Sequence, residues 1–523
     1  MKIMSKSYNT LNHMKIKKYF LFTIATFALV SCFEDESTDA TNPIAEITID
    51  ESSMQKVYNI DQNDSLIIKP IITQSKEKEL PLSYAWELNQ EIVSVEKDFR
   101  YKGNILGTYN GRLIVSNDDG KAFYTFTLNV NSPYEYGILV LSKDADEHPH
   151  IAFMQEPMAE GEERKFYDEN CLEKNNKDQF FSSNPSDIIQ TTGTLIFACQ
   201  GKDGDAEDGA AIYFLNEKTF VMENVVESKE YPTFKPSRLL TPQGSYDGSA
   251  YPVLSADGKM YSLPTYNAVL QPSHKLTSTY AQAGFAVGDA VHNDIIVWDK
   301  EVNGLVCLYN GYGPYYCGYK YLLQRDSTLL TDDYYTKNFS KLKGLRTLVY
   351  INKTKEQLSK SRQELIAIVD APNMKQKVVI STFFWRQVEG KIGEYEVLDH
   401  GKGFQKAASK GYSKINEKTP CIANSTYETM LFAIGNKVMK WYYFKDNSLL
   451  ENAEELLNVG TDDAIITSFT ISEDHKKTYV AFYEPTQEGK NGSVWVFDTN
   501  SGEVLEKYNN VCYQPVKVIY KKK

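Results

Sequence analysis

Apolar and polar residues alternate along much of this chain with the two-residue period of a half-buried strand. The clearest case is "GRLIVSNDDGKAFYTFTLNV" (111–130), where Tyr124, Phe126, Leu128 and Val130 alternate with polar residues. It predicts a hairpin with Asp119-Gly120 as the tight-turn dipeptide. Between residues 43 and 133 other short apolar runs, "IAEITID", "DSLIIKPII" and "LSYAWEL", are separated by turn residues. Regular strands over about 90 residues around one tryptophan, Trp86, predict a β-sandwich with that ring in its core.

From residue 134 to the end strands continue, but their grouping changes. "GILVLSKD", "TLIFACQG", "AAIYFLNEKTFVMEN", "YPVLSADGKMYSL" and "DIIVWDKEVNGLVCLYNG" are followed by similar runs up to "GSVWVFDTNSGEVLEKY". Three share one plan, an apolar strand ending in an aromatic, a polar turn and a second strand: "IYFLNEKTFV", "IVWDKEVNGLV" and "VWVFDTNSGEV". "SADGKMY" and the degenerate "SEDHKKTY" look like copies of a second hairpin. Hairpin-centred units at this spacing predict a β-propeller of about seven four-stranded blades over 134–523. Radial repetition leaves each blade only short edges, so a large β-content need not aggregate. The strongest helical segment is "NSLLENAEELLNV" (447–459), expected to decorate a loop. The fold class is therefore all-β, a sandwich followed by a propeller.

The first 42 residues follow a different pattern. Lys15, Lys17 and Lys18 precede "YFLFTIATFALV" (19–30), an apolar segment of twelve residues. A membrane-spanning helix needs about 20 apolar residues, whereas a charged n-region plus a short apolar h-region is a secretory signal. Both Met1 and Met14 offer a start. The segment ends in Leu29-Val30-Ser31-Cys32, which resembles a bacterial lipobox and implies lipidation of Cys32 after removal of 1–31. Acyl chains contribute roughly 0.8 kcal/mol per buried methylene and can hold a hydrophilic body on a bilayer. Residues 32–42 form a tether with acids at Glu34, Asp35 and Glu36. Such a cluster behind the cysteine resembles the signal for export to the outer face of the outer membrane.

Charge narrows the partners. Removing residues 1–31, which carry five lysines and no acid, takes the net charge from −12 to −17. That excludes nucleic acid, whose phosphates need basic surface, and weakens any purely electrostatic hold on anionic lipid. Six further cysteines (Cys171, Cys199, Cys307, Cys317, Cys421, Cys512) are scattered with no metal-like spacing. Cys199 and Cys307 sit among apolar neighbours as small hydrophobes; only Cys307–Cys317 is close enough in sequence to suspect as a disulfide.

Catalytic patterns are scarce. The chain holds no HExxH, nucleophile elbow, phosphate-cradling loop or dinucleotide fingerprint, so no catalytic residue, metal or cofactor is expected. His148 and His150 in "DEHPH" read as a polar turn. "DGDAEDG" (203–209) has Asp208 and Phe214 where an EF-hand needs glycine and glutamate, and reads as an acidic turn. One stretch does point to a ligand: "YNGYGPYYCGYKY" (309–321). Tyr309, Tyr312, Tyr315, Tyr316 and Tyr319 lie there among glycines and a proline. Tyrosine offers an apolar face for stacking and a hydroxyl for hydrogen bonds, which suits sugars or peptides, and loops carry function. "DDYYTKNF" (332–339) is a weaker second candidate.

Taken in order, the lipobox cysteine with its acids, "NPIAEITID", "YNIDQNDSLIIKPII", the "LSYAWEL" strand, "GTYNGRLIVSNDDG" and "FTLNVNSPYEYGILVLS" resemble the PKD-like lipoproteins of Bacteroidetes. The likeness covers about the first 145 residues. Trp86 is followed by Glu-Leu-Asn-Gln rather than the Phe-Gly-Asp-Gly turn of true polycystic-kidney-disease domains, so the domain is PKD-like only. The resemblance implies a surface lipoprotein accompanying an outer-membrane transporter for glycan or peptide fragments. It would capture ligand or serve as a scaffold docked on the transporter. A propeller-type glycan-degrading enzyme is the third reading.

Overall fold

A computed structural model describes residues 44–75, 80–156, 165–240, 250–264, 269–272, 280–289, 292–300, 304–310, 317–322, 347–353, 362–371, 376–385, 403–409, 412–424, 426–443, 445 and 448–522. Contacts divide the chain into two compact units between Asn131 and Ser132.

Unit 1 contains strands β1 (Ile47–Ile49), β2 (Val57–Asp61), β3 (Ser65–Ile68), β4 (Ile72–Gln74), β5 (Ser83–Leu88), β6 (Glu91–Ser94), β7 (Phe99–Lys102), β8 (Gly107–Asn117) and β9 (Gly120–Asn131). Five form one sheet in the order β2-β9-β8-β5-β6; β1-β4 and β3-β7 are two-stranded sheets. Alternation decides which face is covered. Leu113, Val115, Tyr124, Phe126, Leu128 and Val130 are buried in one cluster with Ile68 and Phe99 of the β3-β7 sheet. Trp86 is fully buried, stacks on Phe99 at 4.8 Å and donates Nε1–H to Glu96 O at 2.9 Å. The core expectation for this ring holds. Gly111 faces Phe126 across the ladder, and a Cβ there would lie 2.3 Å from that ring. The hairpin turn differs by one residue from expectation. Asn117 pairs with Gly120, so Asp118 and Asp119 are the loop. The reason is that Asn117 Oδ1 accepts the N–H groups of both Asp119 and Gly120 at 2.9 Å, closing an Asx turn.

Among its described residues unit 2 is built almost entirely from four-stranded antiparallel sheets, with one short helix, α1 (Cys171–Asn175), between the first and second. In chain order its strands are β10 (Gly137–Lys143), β11 (Pro149–Gln155), β12 (Lys165–Asp168), β13 (Pro185–Thr191), β14 (Thr194–Cys199), β15 (Ala211–Asn216), β16 (Met222–Glu227), β17 (Pro236–Leu239), β18 (Ala250–Ser255), β19 (Met260–Pro264) and β20 (Gln271–Pro272). There follow β21 (Tyr280–Asp289), β22 (His292–Asp299), β23 (Gly304–Asn310), β24 (Cys317–Leu322), β25 (Thr347–Lys353), β26 (Arg362–Ala371), β27 (Gln376–Trp385) and β28 (Gly403–Ala408). The last are β29 (Cys421–Asn424), β30 (Thr429–Ile434), β31 (Lys437–Tyr442), β32 (Glu454–Asn458), β33 (Ile465–Ile471), β34 (Lys477–Tyr483), β35 (Gly492–Asp498), β36 (Val504–Cys512) and β37 (Gln514–Lys521).

Among the described residues these strands form seven four-stranded sheets, six of consecutive strands and one in the order β12-β11-β10-β37. The final strand thus completes the first sheet, pairing from Gly137↔Lys521 to Lys143↔Gln514. Strand β37 touches both β33 and β13, and first strands of neighbouring sheets continue in contact from β25 to β29 to β33. The array is all-β and propeller-like. Its core lies between adjacent sheets: Leu139, Phe153, Leu195, Phe197 and Tyr213 between the first two, Tyr479, Val494 and Val518 where the last meets the first.

The helix expected at 447–459 is replaced by a 3-10 turn, Leu450–Asn452, and strand β32. The open edge of β31 claims these residues as its fourth strand, with Lys437 opposite Asn458 in the ladder and in an ion pair with Glu455, and with Leu450 buried. A few tenths of a kcal/mol of helix propensity per residue cannot outweigh ladder and burial together. The supposed repeats also fall at unequal positions. "IYFLNEKTFV" and "VWVFDTNSGEV" run from the third strand toward or into the fourth, but "IVWDKEVNGLV" runs from the second into the third. "SADGKMY" joins second to third strands and "SEDHKKTY" first to second. The last two share a left-handed turn residue, Gly258 in one and His475 in the other.

Candidate functional site

Strand order sorts the turns of unit 2 onto two faces. The first face carries turns between second and third strands and the links from one sheet to the next; the second face carries the remaining turns. The chain arrives at the second face. Ser132 Oγ donates to Lys218 O, and the Tyr134 ring stacks 4.2 Å from Phe220, both on the β15–β16 turn.

On the first face, three segments distant in sequence meet around Asp144 at the end of β10. Its Oδ1 accepts the N–H groups of Asp146 at 3.0 Å and His148 at 2.9 Å. Its Oδ2 lies 3.1 Å from His150 Nε2 and 3.4 Å from His148 Nδ1. Glu147, at φ 69°, closes the turn. Burial pushes the Asp144 carboxyl up, but the bonds from the His150 ring and the His148 N–H outweigh it and hold the group below its ordinary range. The other nitrogen of His150, Nδ1, lies 3.3 Å from Asn170 Oδ1, just ahead of α1. Asn170 Nδ2 donates to Glu173. The His150 ring sits 4.5 Å from that of Tyr513, in the β36–β37 link. His148 remains about half exposed, whereas His150 is largely covered. The arrangement leaves the half-exposed His148 imidazole at the rim, over a carboxylate already engaged by the His150 ring and two backbone N–H groups.

Beside it the "DGDAEDG" stretch is an acidic turn folded upon itself. Asp205 Oδ1 accepts the N–H groups of Glu207 and Asp208, and the buried Asp208 accepts Ser183 N–H at 2.8 Å. Gly201, at φ 69°, allows this approach, since a Cβ there would lie 2.2 Å from Asp208 O. Beneath the turn Tyr213 donates to Ser182 Oγ and accepts from Ser182 N–H; burial pushes its phenol up to about 12. Lys235 pairs with Asp203 at 3.1 Å.

A third group locks the inner strands. The buried Asp187 on β13 accepts Lys517 Nζ of β37 at 2.5 Å and Leu239 N–H of β17 at 2.6 Å. Sequence reading missed both this group and Asp144. Asp187 and Lys517 lie 330 residues apart, and no local pattern announces such a pair.

Of the residues singled out from sequence, Cys32, Tyr312, Tyr315 and Tyr316 lie outside the described residues, as does "DDYYTKNF". Tyr309 and Tyr319 are backbone partners on β23 and β24, toward the second face and away from Asp144. His148 and His150 do form a polar turn. Among the described residues no group of three or more His, Cys, Asp or Glu is arranged to hold a metal, and no helix is long and apolar enough to cross a membrane. Cys171, Cys199, Cys421 and Cys512 are free thiols whose burial pushes them up. The suspected Cys307–Cys317 pair is out of register. Cys317 pairs with Asn310, three positions from Cys307. That is about 10 Å along the strand, beyond the roughly 7 Å a disulfide spans between Cα atoms.

No protein-family model and no curated protein matches the chain. Solved structures do. A quinoprotein alcohol dehydrogenase-like protein of Bacteroides thetaiotaomicron is similar with a TM-score of 0.43 at 11% identity, over 91% of this chain and 99% of that one. A protein of Bacteroides fragilis assigned as a 6-phosphogluconolactonase scores 0.42 at 10% identity, over 74% and 98%. The β-propeller domain of Cps50 (Swd1) from Myceliophteria thermophila scores 0.35 at 9% identity, over 64% and 88%. The architecture of this chain rests on its own sheet order and closure.

Proposed function

We propose that the chain is a lipoprotein, anchored through Cys32 to the outer face of the outer membrane, that binds an extracellular oligosaccharide or peptide for a nutrient-uptake system. In this reading unit 1 is the PKD-like sandwich, and the seven sheets of unit 2 are blades of one propeller closed by β37. The observation that supports it most is the first face, where Asp144, His150, Asn170 and Tyr513 converge from three segments. Ligands favour such convergent polar groups with aromatic surface beside them.

The test is binding to glycan and peptide arrays by the acylated chain and by two variants. Asp144→Ala with His148→Ala should weaken capture at least about tenfold, the loss of one or two charge-assisted hydrogen bonds, with circular dichroism unchanged. Tyr312→Ala with Tyr315→Ala tests the tyrosine loop separately. No ligand from either array, or capture indifferent to both variants, defeats the binding reading. Mass spectrometry of the Cys32 peptide and protease shaving of intact cells test anchor and orientation.

A second reading, a scaffold docked on the transporter, gains support from unit 1. Ile92, Val95 and Ile105 are each more than 60% exposed there, the kind of apolar side chain that a docking partner would cover. Co-purification with an outer-membrane barrel that survives the Asp144 variant would favour it.

A further inference from the structure

The two ends of unit 1 are fixed at opposite ends of one strand. At the amino-terminal end, Ala45 N–H donates to Asp119 Oδ2 at 2.7 Å, and Asn117 Nδ2 donates to Ala45 O at 2.8 Å. Ser75 reinforces the hold: its N–H donates to Glu46 O, and its Oγ accepts Glu46 N–H at 2.9 Å. The chain therefore joins unit 1 at the tip of the β8–β9 hairpin. It leaves at the far end of β9, where Asn131 O accepts Gln62 N–H at 2.9 Å. Close packing supports that end too, since a Cβ on Gly103 would lie 2.9 Å from both Ile60 and Val130.

Between these points β9 runs unbroken from Gly120 to Asn131, paired along its length with β8 and over its second half with β2. Eleven steps of about 3.4 Å make the strand about 37 Å long. Twelve residues separate Cys32 from Ala45, and their greatest reach is about 40 Å. A paired, twisted sheet does not shorten as a single chain does, so its length is a fixed distance.

We infer that unit 1 is a stand-off strut with a defined polarity. The Asn117–Gly120 hairpin tip is its membrane-proximal end, and the β2–β3 turn beside Asn131 is its distal end, one strand length farther from the bilayer. This rests on the lipid-anchor reading above and gives unit 1 a task within it: the strut roughly doubles the reach of the tether and makes the second half rigid. The partner it faces is the lipid surface, from which the point where unit 1 hands on the chain, at Asn131, is held one strand length away.

Two exposed turn aspartates mark the two ends, Asp118 in the hairpin loop and Asp64 in the β2–β3 turn. Full-length acylated protein carrying Asp118→Cys or Asp64→Cys, each labelled with a donor fluorophore, is bound to phosphatidylethanolamine–phosphatidylglycerol vesicles containing an acceptor headgroup lipid. The expected result is at least about twofold higher energy transfer from position 118 than from position 64. Equal transfer, or more from position 64, overturns the strut while leaving the anchor intact. Protein that fails to float with the vesicles and shows no transfer from either label removes the anchor, and the strut with it. Asn117→Ala combined with Asp119→Ala releases Ala45 from the tip and should narrow the difference between the labels.

Discussion

Strand β9 of unit 1 and strand β10 of unit 2 are both central and regularly paired, yet their sequences obey different rules. In β9 buried and exposed positions alternate, because one face of the sheet packs on β1-β4 and β3-β7 while the other meets water. In β10, "GILVLSK", six consecutive residues are buried, because neighbouring sheets cover both faces. Alternation reports one covered face and continuous apolarity two. The contrast also extends to surfaces: unit 1 leaves Ile92, Val95 and Ile105 exposed, whereas large apolar side chains of the first and last sheets of unit 2 are mostly enclosed.

The sharpest way to break this comparison is to remove β37. Deleting residues 514–523 uncovers β10 and the inner edge of the first sheet, so unit 2 should lose its cooperative unfolding transition while that of unit 1 persists; calorimetry of the truncated chain checks it. Next in size, Trp86→Ala should destabilise unit 1 by about 3–5 kcal/mol, the usual cost of emptying a large aromatic site. Denaturation followed separately in the two units should show unit 2 unmoved. Asp187→Ala leaves Lys517 without its partner and Leu239 N–H unbonded. A cost of about 3 kcal/mol is expected in unit 2, as for other disrupted buried ion pairs, and Asp187→Asn should recover part of it in the same denaturation assay.

The last expected effect is a pH dependence of unit 2. Lys521 is buried with its Nζ donating to Glu135 O, and burial pushes it down to about 8. The folded state thus releases this proton before the unfolded chain does, near its ordinary value of about 10.4. Between those values the unfolded chain binds more protons, so stability rises with pH by up to about 1.4 kcal/mol per unit. Below pH 8 the penalty is complete and constant. Tyr213 acts in the opposite sense only above about pH 10, where the unfolded phenol ionises first. Urea titrations from pH 7 to 10 should show the rise, and Lys521→Met should flatten it.

Legibility in the sequence followed the same divide. The β8–β9 hairpin and the Trp86 core were readable because one-sided burial writes itself into a two-residue period. Even so, the turn fell on Asp118-Asp119, since Asn117 could close it from the preceding position. In unit 2 the strands could be recognised but their phase could not. "IVWDKEVNGLV" resembled its supposed copies in residue pattern while occupying different strands. At 454–458 the free edge of β31 overrode residues with good helix propensity. The tyrosine loop announced itself by composition, but Asp144 and Asn170 did not, because each is an ordinary turn residue until the fold joins them.

The amino-acid order by itself determined a chain of short strands and turns, one half-exposed domain ahead of a long region of doubly covered strands, and an acidic body poor in catalytic signatures. Only the tertiary structure decided that β37 would complete the sheet begun by β10, that Asp187 would tie three inner strands, and that His150 would stand between Asp144 and Asn170. Local periodicity is set by which faces are covered and is felt within a few residues. Pairing across more than 300 residues is set by which edges remain open once every nearer ladder has formed.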